Sequence, residues 1–412
     1  MVAEGETYDS IAVTGNRISY LGNSEAILSM VDSDTRLIDL EGRAVYPGFI
    51  DPHTHLLNDS YGQGMNPTSA QELALRNGIT TAANMFTPLE SLGEYTRLAE
   101  RGWMRVRFSL YLIYNTSCGD VLGDWYTAYA PFGEIAPRLT IGGVKIFSET
   151  SVCGDRPIGV SFTSLSGDLT PAGTDRYGEN RPLFSTAELT AVIRRADALG
   201  YPVAIHAIGE GGVETSLDAL DAVLDGRPNT LRHTILHNTI LRDDLLPRYE
   251  ASGILAAIES MSSCFADWYR DALPSEHKHI VRRWGDLLDA GAFVTANSDW
   301  PWCAEESISP LFRLQALMVP ENRSESYEMF EPCGLLPEDQ LISAWQGLVM
   351  MTRNAAYMLH CEDERGTLEL GKLADLIVLS ADPLFVHADA LTDIDVLLTM
   401  VDGVIEWEAT GF

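Results

Sequence analysis

The chain is expected to fold as an α/β protein: an eight-stranded parallel (β/α)8 barrel of the TIM type, beside a small β-sandwich built from both chain ends. Three observations predict it. Eight short β-branched runs alternate with helical patterns through the middle of the sequence, and such alternation implies parallel strands with helices outside. Both ends are rich in short alternating runs instead. Finally, 412 residues exceed the roughly 250 that a barrel alone requires, which leaves room for one accessory unit.

Residues 1–46 are expected to give the first part of the sandwich. SIAVTGNRISYLG and TRLIDLEGRAVYPG alternate with period two and are punctuated by Gly and Asn turn signals. Residues 47–358 are expected to form the barrel, with strands in FIDPHTH, GITTAANMF, VRFSLYLIY, IGGVKIF, PVAIHAI, HTILH, GILAAIES and AFVTANS. Helical patterns lie between them, among them STAELTAVIRRADALG, VETSLDALDAVLDG and HIVRRWGDLLDAG. Ser185 or Thr186 suits the N-cap of the first, and Gly200 its end. Residues 359–412 are expected to complete the sandwich through GTLELGKLADLIVLS and DVLLTMVDGVIEWE, with an Asp-Gly hairpin turn. The stretches 150–185 and 300–337 break the rhythm. They follow the fourth and eighth barrel strands and are expected to be lids or binding loops at the catalytic mouth.

Composition narrows the function classes. The 28 basic and 59 acidic residues give a net charge of −31, which repels nucleic acid and anionic membranes and leaves a small-molecule substrate as the expected partner. Self-association as a homo-oligomer stays open. There are three lysines, Lys145, Lys278 and Lys372. Low lysine with high acidity fits either a salt-adapted source or arginine-favouring codon usage. No apolar run reaches the ~18 residues of a membrane span, and the acidic N-terminus lacks a signal-like core, so the expected location is the cytoplasm. The six cysteines are scattered without a C-x-x-C pair and are expected to be reduced thiols.

The chemistry begins with FIDPHTH. Residues two apart on a strand share a side, so His53 and His55 face one interior point and make half a metal site. His206 and His237 end further apolar runs, and Asp299 follows AFVTANS. Barrel strands deliver catalytic side chains at such positions. A single strand-end histidine is commonly structural; the set is what points to metal. Lys145 lies within an apolar strand, where burial lowers an amine's pKa. A neutral amine can add carbon dioxide to give a carbamate able to bridge two cations, most simply zinc. The alternative is ordinary pairing with an acid such as Glu149. His233 reads as structural, and His277, His279, His360 and His387 as surface or helix positions. Arg156, Glu259, Trp268, Trp300 and Trp302 are candidates to line a substrate pocket, with loop packing as the alternative.

PGFIDPHTH, GGVKIF, HAIGE, LRHTILH, NSDWP and NAAYMLH followed by GTLELGKLADLIVL together resemble the amidohydrolase superfamily. Their order and spacing are most similar to its N-substituted formamide deformylase-like branch, amidohydrolase family 3, from about Ile11 to the C-terminus. The resemblance implies that His53 and His55 bind the more buried metal and that Lys145 is a carbamylated bridge. It further implies that His206 and His237 hold a second metal and that Asp299 binds metal and shuttles the proton. Three departures concern tuning and substrate: Glu210 stands where the branch has Asp, Leu236 where a Glu is usual, and Ser148–Glu149 where Asp-Gly is common. The expected activity is metal-dependent hydrolysis of an amide or other non-peptide C–N bond. An esterase, lactonase or dipeptidase would use the same residues, and a non-catalytic scaffold would be expected to have lost some of them.

Overall fold

The computed structural model describes residues 3–151, 182–259, 273, 275–303, 305–320 and 336–412. The first alternating run forms β1 (Ser10–Thr14) and β2 (Arg17–Gly22), an antiparallel hairpin, followed by β3 (Ala44–Pro47). The apolar runs of the middle then become β4 (Phe49–Thr54), β5 (Ile79–Thr87) and β6 (Arg107–Ile113). A short β7 (Glu134–Ala136) pairs antiparallel with β8 (Leu139–Phe147). The series continues through β9 (Val203–Ala207), β10 (Thr234–His237), β11 (Leu255–Glu259) and β12 (Phe293–Asn297). β4, β5, β6, β8, β9, β10, β11 and β12 pair in parallel in chain order, each next to its successor.

The barrel is nearly closed, and its last seam is sewn at the strand ends that carry the chemistry. The Asp299 amide donates to the His53 carbonyl at 3.0 Å, and the His55 amide to the Trp300 carbonyl at 2.8 Å. Asp51 Oδ1 accepts from the Ser298 amide at 3.1 Å, tying β4 to the end of β12 once more.

Two cores hold this arrangement. Inside the barrel, Ile50, Met85, Tyr111, Ala204, Leu236 and Ala257 pack together, and the helix Arg353–Met358 closes them off with Ala355, Ala356 and Met358. Tyr111 requires the glycine pair of GGVKIF: a Cβ on Gly143 would stand 2.8 Å from its ring and 2.5 Å from the Pro202 carbonyl. The larger core lies between the strands and the surrounding helices. Among these, Thr186–Ala198 is capped by Ser185 with a reciprocal Glu188 contact, and Gly200 follows in the left-handed conformation at φ 83°.

The chain ends meet as expected. β13 (Leu376–Leu379), β14 (Val396–Val401) and β15 (Val404–Glu408) join β3 in an antiparallel sheet ordered β15-β14-β13-β3. Asp402 and Gly403 turn between β14 and β15 with φ of 59° and 74°, the pair of left-handed residues a tight hairpin demands. Ile11 and Val13 of β1 pack against Leu376, Val378 and Leu398 and supply the second layer.

Several expectations are corrected. Residues 35–41 form no strand, although Ile38 and Leu40 still turn inward onto the sandwich core. Period-two burial thus survives without a ladder partner. HIVRRWGDLLDAG is α-helical only at Trp284–Asp289, and its first two residues end a 3-10 turn, Ser275–Ile280. Arg282 upstream adopts φ 59° and its amide donates to the Thr239 carbonyl at 2.7 Å, so this part pairs with the neighbouring loop. Cys118 is disulfide-bonded, against the expectation of reduced thiols. Cys303 and Cys361 are free. Spacing along the chain carried no sign of this pairing, because folding sets which thiols meet. No helix among the described residues is long and apolar enough to cross a membrane. Most of the irregular stretches 150–185 and 300–337 lies outside the described residues, as do Arg156 and Trp268.

Candidate metal centre

All six expected metal-holding residues are buried or nearly so and gather at the C-terminal mouth of the barrel. The His53 ring lies 5.5 Å from that of His55 and 5.2 Å from that of His237, and His206 lies 4.2 Å from His237. Asp299 Oδ1 stands 3.1 Å from His53 Nε2 and 3.2 Å from His55 Nε2.

Alternation alone does not produce this cluster. Leu236 belongs to the barrel interior, so the next residue on a regular strand would turn away. His237 instead takes φ 75° and Asn238 φ 55°, which ends β10 and brings the imidazole to the mouth. Asn238 stabilises the kink by donating to the carbonyls of Ile235 at 2.9 Å and Ala257 at 3.2 Å. Asp299 likewise sits at φ 48°. Left-handed non-glycine residues cost energy, and their concentration here marks a site that the surrounding fold enforces.

The polar atoms at the centre are close together yet lack hydrogen-bond partners. His53 Nδ1 and Nε2, His206 Nε2, His237 Nε2, Glu259 Oε1 and Asp299 Oδ1 are all buried without one. Buried polar groups are almost always satisfied, so a convergent set of orphans calls for an ion at their focus. Two groups have donor spacing suited to a metal: His53, His55 and Asp299, and His53, His237 and Glu259. Histidine and carboxylate donors in this number fit a divalent cation.

Electrostatics agree with that demand. Burial pushes the imidazoles of His53 and His206 well below their ordinary range and His237 to about 3, so each offers a lone pair at neutral pH. Burial alone would raise the Asp299 carboxyl, but His53 and His55 beside it hold it well below the usual carboxylate range. Burial and the neighbouring Asp299 push the Glu259 carboxyl well up. Lys145 is 1% exposed, and burial lowers its amine to about 7 against the opposing pull of Asp299 and Glu259. Its Nζ lies 5.0 Å from the Phe147 ring centroid.

Glu149, the alternative partner for Lys145, is engaged elsewhere. Its Oε1 accepts from the amides of Ile208 and Gly209, the latter at 2.9 Å, where the helix Glu210–Leu224 begins. Gly212 permits this approach, since a Cβ there would stand 2.7 Å from Glu149 Oε2. Ser148 Oγ donates to the His206 carbonyl at 2.6 Å. The Ser148–Glu149 departure therefore fixes the end of β9 and, with it, His206. Glu210 is buried and paired with Arg242.

The remaining residues divide. Trp302 is 43% exposed, with its ring edge-on to His55 at 6.4 Å, and stands at the mouth. Trp300 is 1% exposed and belongs to the outer core. Its carbonyl accepts from His55, which gives it a packing role. His233 is structural: its Nδ1 accepts from the Val203 amide at 3.1 Å and its Nε2 lies 3.2 Å from Asp197. His279 and His387 are exposed, while His360 is half-buried against the Leu231 carbonyl.

Asp59 was not anticipated. Its Oδ2 lies 3.3 Å from His55 Nδ1 and accepts from Trp302 Nε1 at 2.7 Å. A carboxylate on the far nitrogen of a ligating histidine fixes the tautomer and strengthens the donor. Its only trace in the sequence is the position four after His55. Asp59→Asn is expected to weaken metal binding by about 10- to 100-fold, measured by competition with a chromogenic chelator.

Comparison with known proteins agrees with this geometry. Over 409 residues the chain is 26% identical to an imidazolonepropionase of Symbiobacterium thermophilum, covering 90% of this chain and 83% of that protein. It is 30% identical over 236 residues to an N-substituted formamide deformylase of Arthrobacter pascens, covering 55% of this chain but 40% of that longer protein. A putative amidohydrolase YtcJ of Bacillus subtilis is matched at 26% identity over 48% of its length. In fold, an uncharacterized metal-dependent hydrolase from Pyrococcus horikoshii superposes with a TM-score of 0.71 at 18% identity, over 92% of this chain and 95% of that one. The model of the amidohydrolase family matches residues 36–75 and 68–405, which together span most of the sequence, and the chain belongs to that family.

Proposed function

We propose that the protein is a metal-dependent hydrolase that cleaves an amide, formamide or cyclic C–N bond of a small molecule. The observation that carries this reading is the buried set of unpartnered donors at the barrel mouth, delivered by strand ends far apart in sequence. In it, His53, His55 and Asp299 would hold one cation, and His206 and His237 a second. Lys145, as a carbamate, would lie between them, with zinc the proposed metal. Bound there, divalent cations polarise a substrate carbonyl and bring the pKa of a water towards about 7.

The chain's own part is proton transfer and positioning. Asp299 stays ionised beside two imidazoles and so can accept the proton of the attacking water. The same carboxyl then donates to the leaving nitrogen, acting as base and afterwards as acid. Trp302, half-exposed over His55, offers an apolar face to the substrate, and Arg156 remains a proposed contact from outside the described residues. The names of the relatives, N-substituted formamide deformylase and imidazolonepropionase, guide the choice of substrates.

A panel of N-substituted formamides, cyclic imidazolones, N-acyl amino acids, dipeptides and lactones tests the reading. Turnover of a formamide, cyclic or acyl C–N substrate, abolished by chelator and restored by zinc, is expected. Turnover confined to lactones or dipeptides would overturn it. A cytoplasmic location is proposed, in which the Cys118 pairing would be open to reduction. Alkylation of thiols in intact cells decides the point: a Cys118 labelled before lysis supports the cytoplasm.

A further inference from the structure

We propose that Glu259 is a direct ligand of the second cation rather than a pocket-lining residue; this rests on the metal reading above. Glu259 is the last residue of β11 and 5% exposed. Its Oε1 lies 2.7 Å from His237 Nδ1 and 3.9 Å from His53 Nδ1. A carboxylate that merely oriented His237 would accept a hydrogen bond from that nitrogen. At 2.7 Å the distance suffices, yet Oε1 has no hydrogen-bond partner, so the two atoms stand side by side rather than aimed at each other. Atoms arranged in that way point to a third body between them. His53, His237 and Glu259 together satisfy the spacing of a three-donor metal group.

The neighbouring strand explains how the carboxylate reaches this position. β11 pairs with β12 so that Glu259 is level with Asn297, two residues before Asp299. Asn297 Nδ2 donates to the Ile258 carbonyl at 2.8 Å and steadies the end of β11. Two carboxylates, Glu259 and Asp299, thus enter the centre from adjacent strands on opposite sides of His53. One serves the ion at His53 and His55. The other serves the ion at His237, with the His206 ring 4.2 Å from that of His237. Glu259 would thus add a carboxylate donor for the second ion beside the one that a carbamylated Lys145 supplies.

The test combines zinc content with a structure of the zinc-loaded protein. Wild type and Glu259→Gln, both stripped by chelator and dialysed against zinc, are compared by elemental analysis and by competition with a chromogenic chelator. The proposal expects the variant to keep the ion at His53, His55 and Asp299, which also reports that it folds. It expects the other ion to be held at least about 10-fold more weakly, with Glu259→Asp recovering part of the loss. In the zinc-loaded wild type, a Glu259 oxygen should lie at about 2.0–2.2 Å from zinc. A Glu259 oxygen more than about 3 Å from any zinc and hydrogen-bonded to His237 Nδ1 would overturn the proposal, as would unchanged zinc retention in Glu259→Gln. Wild-type protein that binds no zinc at all would sink the metal reading itself, a different result from either.

Discussion

Asp299→Asn is expected to reduce kcat by at least about 10²-fold and as much as about 10⁴-fold, the range that a positioned acid–base group supplies. Asparagine keeps the shape of the side chain and an oxygen donor, so metal content and thermal stability should change little. What it loses is the ability to take and return a proton. The carboxyl is suited to that task because His53 at 3.1 Å and His55 at 3.2 Å keep it ionised despite burial. A variant with near-normal kcat on a proven substrate would show that the proton moves by another route. A variant that loses turnover together with all its metal would instead assign Asp299 a ligand role alone.

The second large effect concerns Lys145. Lys145→Ala is expected to lower bound metal from two ions towards one and to cut activity with it. The amine is pushed down to about 7, so about half is neutral at that pH and more as pH rises. Only the neutral form adds carbon dioxide, forming a new N–C bond and releasing one proton. Recovery of stripped enzyme in zinc and bicarbonate should therefore quicken as pH rises through about 7. The sign for stability follows from the same shift. Between about 7 and the ordinary lysine value of 10.5, the unfolded chain holds a proton that the folded, metal-free chain has released. The contribution of this group to folding is therefore complete above the upper value and is lost as pH falls towards 7. Metal-free Lys145→Met should accordingly melt higher than metal-free wild type near pH 7, as differential scanning calorimetry would show. Recovery independent of bicarbonate and pH would argue for an unmodified lysine.

Much of this centre could be read from the sequence, and the reason is geometric. Eight apolar runs specify eight strands, and the polar residue ending each run lands at the barrel mouth. That rule singles out His53, His55, His206, His237 and Asp299, which the fold brings close together at the mouth. It applies equally to Glu259, which ends β11 within GILAAIES, but a lone glutamate at a strand end has no partner spacing to distinguish a ligand from a pocket wall. Asp59 escaped because it acts from a loop, through His55, where sequence separation says nothing about contact. The left-handed turn at His237 and Asn238 was invisible for a different reason. Period-two reasoning assumes a regular strand to its end, and here the function depends on breaking it. The Cys118 disulfide and the unpaired Ile38–Leu40 segment were missed because both depend on which distant parts of the chain meet.

The central claim is that these buried donors exist to hold divalent cations. Zinc content per chain, measured by mass spectrometry after chelator stripping and dialysis against zinc with bicarbonate, tests it most directly. Two tightly held ions, falling when His53 is replaced by alanine, are predicted. Protein that remains folded yet retains no zinc would contradict the account.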